Sequence, residues 1–133
     1  MAYCTREDIE FVYGIVTVKD WADVDGTDDP ANITARIDRM IEKADNIIDG
    51  KLRRRNFVIP FAVTPGVVRD ISADLAGYNL YAARMLDGGD RTKDNLSHKK
   101  KEAMQALHDI VAGNIILDVE LQDYTDAPSV AKS

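Results

Sequence analysis

The chain has 133 residues, of which 45% are hydrophobic and 30% charged, with one cysteine and a net charge of −6. A chain of this length buries a core as one domain without metals, and a single cysteine excludes an internal disulfide. The acidic balance argues against nucleic-acid binding as the main task. No apolar run approaches the roughly 20 residues that span a bilayer. Because no basic and then apolar region opens the chain, we expect no secretory signal and a protein made in the cytoplasm.

Two short helices are predicted first. The hydroxyl of Thr5 can cap a helix in a capping box with Asp8, and Gly14 is a natural stop. Three residues of this helix share an apolar face, namely Ile9, Val12 and Tyr13. The segment from Ile15, which contains Val16, Val18 and Trp21, is compatible with a strand or a second short helix, and we favour the helix.

An acidic loop, DVDGTDD over residues 23–29, follows. Its Asp and Gly content is typical of a turn, and its Asp-x-Asp-Gly spacing is found in calcium loops. No glutamate ends a twelve-residue loop as an EF-hand requires, so we predict no metal site and interpret the loop as solvated. Its acids, together with one just before it, are Asp20, Asp23, Asp25, Asp28 and Asp29.

The third predicted helix has the clearest pattern. Asp29 can cap it, with Pro30 at its first position. Apolar residues then recur at spacings of three and four: Ile33, Ile37, Met40, Ile41, Ala44, Ile47, Ile48 and Leu52. Gly50 interrupts the helix at a cost of about 1 kcal/mol relative to alanine, which indicates a close helix crossing there.

A short extended linker, NFVIP over residues 56–60, is expected to lay Phe57 and Ile59 on the core, because Pro60 disfavours helical geometry before it. Thr64 and Pro65 then open a fourth helix in the same way as Asp29 and Pro30. Its apolar residues cover much of its circumference, so we expect the central helix of the fold, ended by the glycines at 88–89. They are Val67, Val68, Ile71, Leu75, Tyr78, Leu80, Tyr81, Ala82 and Met85.

A last helix is predicted from Asn95 to Ala112, with Gly113 as a left-handed cap. An extended run and a flexible tail follow it. The sequence therefore predicts an all-α bundle of four to five helices, two of them long and central. We place a helical domain at residues 1–114 and an extended, flexible tail at residues 115–133, whose apolar residues are Ile115, Ile116, Leu117, Val119 and Leu121.

Candidates for chemistry are few, so we predict that the protein is not an enzyme and binds no cofactor. Cys4 lies beside a helix N-terminus, where a thiolate could be stabilised. The two histidines, His98 and His108, are on different faces of one predicted helix. Asp70 and Asp74 are four residues apart and could pair as acid and base, although salt-bridging surface carboxylates are the commoner interpretation. Motifs for hydrolases, zinc sites and phosphate loops do not occur in the sequence.

Two basic runs leave an alternative open. Arg53–Arg55 precedes the aromatic Phe57, and Lys99–Lys101 occupies the first turns of the last helix, where bases oppose the helix dipole. Arginine beside an aromatic residue can contact phosphate and stack on a base, which would suit a small nucleic-acid-binding regulator. The same arginines can instead pair with carboxylates, such as those of the acidic loop, on a neighbouring subunit.

Several ordered segments carry a family resemblance. A helix ends in Ile-Asp-Gly-x-Leu at residues 48–52, and an aromatic segment ending in proline follows at residues 55–60. The pattern Ile-x-x-Asp-[IL]-Ala-x-Tyr-x-Leu-Tyr occupies residues 71–81, and Leu-x-x-Ile-x-x-Gly occupies residues 107–113. The opening pattern Met-x-Tyr-x-Thr-x-x-Asp-[IL] is matched by Met1, Tyr3, Thr5, Asp8 and Ile9. In this order and spacing the chain resembles the Mu-like phage family of small head–tail connector proteins.

The resemblance implies a structural protein of the virion, an adaptor or head-completion protein. Such connectors form a ring, expected to be twelvefold, beneath the portal, and join it to tail proteins while packaged DNA passes through; no membrane is involved. On this basis we expect Arg53–Arg55 to meet the acidic loop of a neighbour, and the segment from Ile115 to dock on the portal. The expected assembly-interface residues are Arg53, Arg54, Arg55, Asp23, Asp25, Asp28, Asp29, Lys99, Lys100 and Lys101.

Overall fold

A computed structural model describes residues 2–86 and 96–117 of the chain. Within these residues the fold is all-α, as predicted, with five α-helices, one short 3₁₀ helix and no strand. The α-helices are α1 (Arg6–Tyr13), α2 (Ile15–Ala22), α3 (Pro30–Leu52), α4 (Gly66–Leu86) and α5 (Ser97–Ala112), and the 3₁₀ helix is Arg53–Arg55. The two long helices, α3 and α4, have 23 and 21 residues.

The central element is α4, which contacts each of the other four α-helices. Leu75, Ala76 and Leu80 on this helix are fully buried, so its apolar circumference is used on several sides, as predicted. Ser72, near the start of this helix, donates a hydrogen bond to Asp45, near the end of α3, and so joins the two long helices. The core of the domain therefore surrounds α4.

Two predicted helix starts are confirmed in detail. The Thr5 N–H donates to Asp8 Oδ2 over 2.8 Å, and the Asp8 N–H donates to Thr5 Oγ1 over 3.3 Å, which completes a capping box. Asp29 Oδ1 accepts from the Ala31 N–H over 3.0 Å, so Asp29 caps α3. These bonds satisfy N–H groups that have no partner inside their helices.

The linker between α3 and α4 alternates as predicted, since Phe57 is buried, Val58 is exposed and Ile59 is half-buried. Phe61, which the sequence analysis did not single out, is also buried and meets the Phe57 ring edge-on, with ring centroids 6.3 Å apart. The following helix begins at Gly66, one residue after the expected start, with the Pro65 carbonyl accepting its first two hydrogen bonds.

The last helix ends as predicted, because Gly113 adopts a left-handed conformation with φ of 90°. Beyond it Ile115 and Leu117 lie against the core, whereas Ile116 is 88% exposed. Val119, Leu121 and the rest of the predicted tail lie outside the described residues, as do the two glycines expected to end α4.

The close helix crossing is at Gly77 and not at Gly50. A Cβ at Gly50 would meet nothing within 4 Å, so the predicted crossing there is wrong. A Cβ at Gly77 would lie 2.0 Å from Cε2 of Tyr13, whose ring rests on the bare backbone of α4. The Tyr13 hydroxyl donates to the Asp74 carbonyl over 2.9 Å, which fixes the ring in this position.

Opposite effects are expected from alanine at these two glycines. Gly77→Ala forces the Tyr13 ring away and should lower the free energy of unfolding by about 1–3 kcal/mol. Gly50→Ala, on an exposed helix position, should raise it by up to about 1 kcal/mol. Urea unfolding measures both. In a Tyr13→Ala background the cost of Gly77→Ala should shrink, and an unchanged cost there would contradict this account of the crossing.

Candidate assembly surfaces

The acidic loop and the arginine run lie at opposite ends of α3. Residues 23–29 precede this helix and Arg53–Arg55 follows it directly. A helix of 23 residues is about 33 Å long at 1.5 Å per residue. The acids at one end and the arginines at the other therefore cannot meet within one chain.

Three of the four predicted interface acids are used to build the loop itself. Both oxygens of the Asp23 carboxylate accept from the Asp28 N–H over 3.1 Å. Asp28 pairs with Lys19 over 2.9 Å, and Asp29 caps α3. Within residues 2–86 and 96–117, Asp25 makes no hydrogen bond or ion pair, and it is exposed. Asp25 is therefore the loop carboxylate left for a partner.

The three arginines of the run also differ in whether they contact other residues of their own chain. Arg53 and Arg54 are exposed, but Arg55 is half-buried and its Nη1 donates to the Val111 carbonyl over 3.3 Å. The guanidinium lies against Gly113, where a Cβ would come within 2.7 Å of Nη1. Arg55 thus joins the end of α3 to the end of α5, which leaves Arg53 and Arg54 for contacts outside the chain.

The lysine run packs partly on α4. The ammonium of Lys100 lies 5.6 Å from the centroid of the Tyr78 ring, within the range of a cation–π contact. Burial raises the pKa of Asp74, and the nearby charge of Lys99 partly offsets that rise. Lys101 is exposed. From Lys101 to the point where Arg55 meets α5 is roughly 15 Å along the helix, so the two basic runs do not form one surface.

The family model described as Bacteriophage Mu, Gp36 matches residues 3–132 of the chain. The chain belongs to the phage Mu Gp36 family. The predicted relation to Mu-like phage proteins is therefore confirmed, over nearly the whole chain. A comparison with curated proteins finds no match.

Among the chemical candidates of this Gp36-family protein, Asp70 and Asp74 lie close together: burial raises the pKa of Asp74, and the nearby charge of Asp70 adds to that rise. His98 and His108 are both exposed on α5. Burial raises the pKa of the Cys4 thiol to about 12, and the Ser72 hydrogen bond only partly offsets that rise, so the thiolate is not stabilised at this helix N-terminus. Within the two described ranges, no three His, Cys, Asp or Glu side chains are placed to hold a metal ion. None of the helices described has the length and apolar composition to cross a membrane.

A buried carboxylate anchors the N-terminal segment. Asp45 Oδ2 accepts from the Tyr3 N–H over 2.9 Å, and Asp45 Oδ1 accepts from Ser72 Oγ over 2.7 Å. The Tyr3 hydroxyl in turn donates to Asp49. Burial raises the pKa of Asp45, and the two donated hydrogen bonds lower it by less than burial raises it. The sequence analysis did not identify Asp45, which occupies a position within the apolar stripe of α3.

Large apolar side chains are exposed in two further places that the sequence analysis did not single out. One is the corner between α1 and α2, with Phe11, Ile15 and Val16; the other is the linker, with Val58 and Val63. The sequence did carry a signal for the first of these places, because Phe11 falls outside the apolar face of α1 that Ile9 and Tyr13 share. Exposed apolar clusters of this kind often mark protein contacts.

Arg55 and Arg54 should differ in their effect on stability. Arg55→Ala removes a hydrogen bond to a helix carbonyl and the packing against Gly113, and should lower the free energy of unfolding by about 1 kcal/mol or more. Arg54→Ala is the matched control and should stay within about 0.5 kcal/mol of the parent chain. Chemical denaturation decides between them, and equal effects would show that Arg55 does not tie α3 to α5.

Asp45 should make stability depend on pH. Because its pKa is raised in the folded chain above the ordinary 3.8, the folded chain holds the proton more tightly than the unfolded chain. The stability of the parent chain relative to Asp45→Asn should therefore be greatest at low pH and fall as pH rises through the folded-state pKa. Urea unfolding from pH about 3.5 to 7 tests this. The exposed carboxylate of Asp38, changed to Asn, serves as the control. A difference that grew in favour of the parent chain with rising pH would contradict the prediction.

Proposed function

We propose that this protein of the phage Mu Gp36 family is a head–tail connector, a non-catalytic structural protein that forms a ring beneath the portal. The observation that carries the proposal is the separation of opposite charges by the length of α3. A ring built from head-to-tail contacts needs two different, complementary surfaces on each subunit. The carboxylate of Asp25 and the guanidinium groups of Arg53 and Arg54, which have no hydrogen-bond or ion-pair partner among the described residues, provide such a pair.

In the proposed ring, Arg53 and Arg54 of one copy meet Asp25 and the neighbouring Asp20 of the next. Arginine can bind a carboxylate through two parallel hydrogen bonds, which fixes orientation as well as distance. Exposed ion pairs contribute only about 0–1 kcal/mol each, so these charges chiefly steer and align the subunits. Most of the binding free energy then comes from apolar contacts elsewhere on the subunit.

The contact with the portal is assigned to the C-terminal segment. Ile115 and Leu117 are packed in the core of their own chain, so the docking segment proposed here begins at the exposed Ile116 and includes Val119 and Leu121. The partners are the portal on one side and tail proteins on the other, with packaged DNA passing through the ring. In this proposal the protein is synthesised in the host cytoplasm and then becomes part of the virion.

The alternative, a nucleic-acid-binding regulator, has less support from the geometry. Of the six basic residues it would use, Arg55 binds the end of α5, Lys100 lies over Tyr78 and Lys99 is close to Asp74. The remaining arginines and Lys101 are at separate places on the described surface. Binding to DNA that falls steeply with salt, without binding to the portal, would favour this alternative.

The test is to mix the protein with the portal from the same phage genome and image the product by negative stain. The parent chain should form rings on the portal. Arg53→Glu/Arg54→Glu should abolish them without changing the unfolding curve, because it places acids opposite acids. Adding Asp20→Lys/Asp25→Lys to the same chain should restore the rings, because the charges on both sides of the contact are then reversed.

The control is Lys43→Glu/Lys101→Glu, which changes the net charge equally at two exposed positions, one on α3 and one on α5, outside the acidic loop and the arginine run. Rings should persist in this variant. Rings that survive the reversal at Arg53 and Arg54 would refute the charge contact. Absence of rings with the parent chain, and tails that join without the protein, would refute the connector function itself.

A further inference from the structure

The corner between α1 and α2 exposes an apolar surface, here called the corner patch and made of Phe11, Ile15 and Val16. Their side chains are 91%, 66% and 80% exposed. On α1, Ile9 is buried and the ring of Tyr13 rests on α4, so Phe11, between them in sequence, points the other way. The corner patch therefore has no covering element among the described residues.

The rim of the corner patch is acidic. Glu7 lies one turn before Phe11 on α1, and Asp20 lies one turn after Val16 on α2; both are exposed. Neither of these two carboxylates makes a hydrogen bond or ion pair within the described part of the chain. The nearby Lys19 is already paired with Asp28 over 2.9 Å. The free charge around this apolar surface is therefore negative.

A second apolar surface has a basic rim. Val58 and Val63 on the linker are 46% and 81% exposed. Phe57, just before Val58, and Phe61, between the two valines, are buried. We call these two valines the linker patch. The exposed Arg53 and Arg54 precede these valines in the chain. The exposed Arg69, in the first turn of α4, is paired with Asp70 over 3.9 Å. Among the described residues, the unpaired charge near the linker patch is therefore that of Arg53 and Arg54.

We propose that the corner patch of one copy packs on the linker patch of the next copy. This pairing matches apolar surface with apolar surface and an acidic rim with a basic one. Two corner patches together would oppose acids to acids, and two linker patches would oppose arginines to arginines, so the favoured contact joins unlike surfaces. The inference rests on the head-to-tail association proposed above and supplies the apolar contact that the exposed charge pairs lack.

The other candidate for the corner patch within the chain is the segment at residues 118–133. That segment carries four acids, Asp118, Glu120, Asp123 and Asp126, and one base, Lys132. An acidic segment is disfavoured beside Glu7 and Asp20 by like-charge repulsion. The charge pattern therefore favours a second copy as the occupant of the corner patch.

Cysteine cross-linking tests the pairing directly. The native Cys4 is 3% exposed and burial raises its pKa to about 12, so we expect it to react slowly in the folded chain, and the parent chain gives the background. Phe11→Cys and Val63→Cys chains, one of them carrying a size tag, are mixed and treated with a short bis-maleimide. The mixture should give several-fold more cross-linked dimer than either variant alone. A full-length chain with both substitutions should give a ladder of higher oligomers.

The matched control replaces Val63→Cys by Lys43→Cys, an exposed position in the middle of α3, outside both patches and away from the end of α5. Its mixture with Phe11→Cys should stay at the background level. Dimers formed as readily by Phe11→Cys alone would indicate a symmetric contact and overturn the proposal. A link within one chain between Phe11→Cys and Val119→Cys, in place of the link between positions 11 and 63, would make the C-terminal segment the occupant and would also overturn the proposal.

The same variants, cross-linked on the portal, separate the two proposals. Rings without the link between positions 11 and 63 would overturn the patch pairing and leave the connector function standing. The link in solution, with no ring on the portal and normal tail joining, would overturn the connector function and leave the pairing standing.

Discussion

The arrangement of the domain depends on the contact between the Tyr13 ring and the bare backbone at Gly77. Without a side chain at that position, α1 can lie directly on the central helix, and the Tyr13 hydroxyl reaches a carbonyl of that helix. The ring also meets Trp21 edge-on, and Trp21 meets Tyr81 in the same way, each pair at 5.4 Å. This aromatic series fixes α2 as well, so one glycine positions both short helices and the corner that joins them.

The N-terminal segment is held by a buried carboxylate as well as by apolar packing, since Tyr3 and Cys4 lie in the core and the Tyr3 ring packs on Phe61 at 5.8 Å. A carboxylate loses hydration on burial, and Asp45 compensates for this with hydrogen bonds from the Tyr3 backbone and the Ser72 hydroxyl. A contact of this kind depends on direction and distance. It therefore sets where the chain enters α1 in a way that a general apolar surface would not.

Local features of the sequence predicted most of the fold. The Thr5–Asp8 capping box, the Asp29 cap, the apolar spacing of α3 and the left-handed Gly113 all depend on residues close in sequence, and all are confirmed. Features that depend on distant residues were not predictable. The sequence does not distinguish Gly77 from Gly50, because only the folded structure shows that Tyr13 packs on Gly77. It does not distinguish the three arginines either, because only the fold brings Arg55 against Gly113. The burial of Asp45 likewise depends on Tyr3 and Ser72.

The contact of Arg55 with Val111 and Gly113 has a consequence for the stoichiometry of an assembly. It places the end of α5, and with it the start of the C-terminal segment, beside Arg53 and Arg54. In a ring that uses those arginines between subunits, each junction would carry one C-terminal segment. A protein that binds these segments would then meet attachment points spaced by the symmetry of the ring, one for each junction.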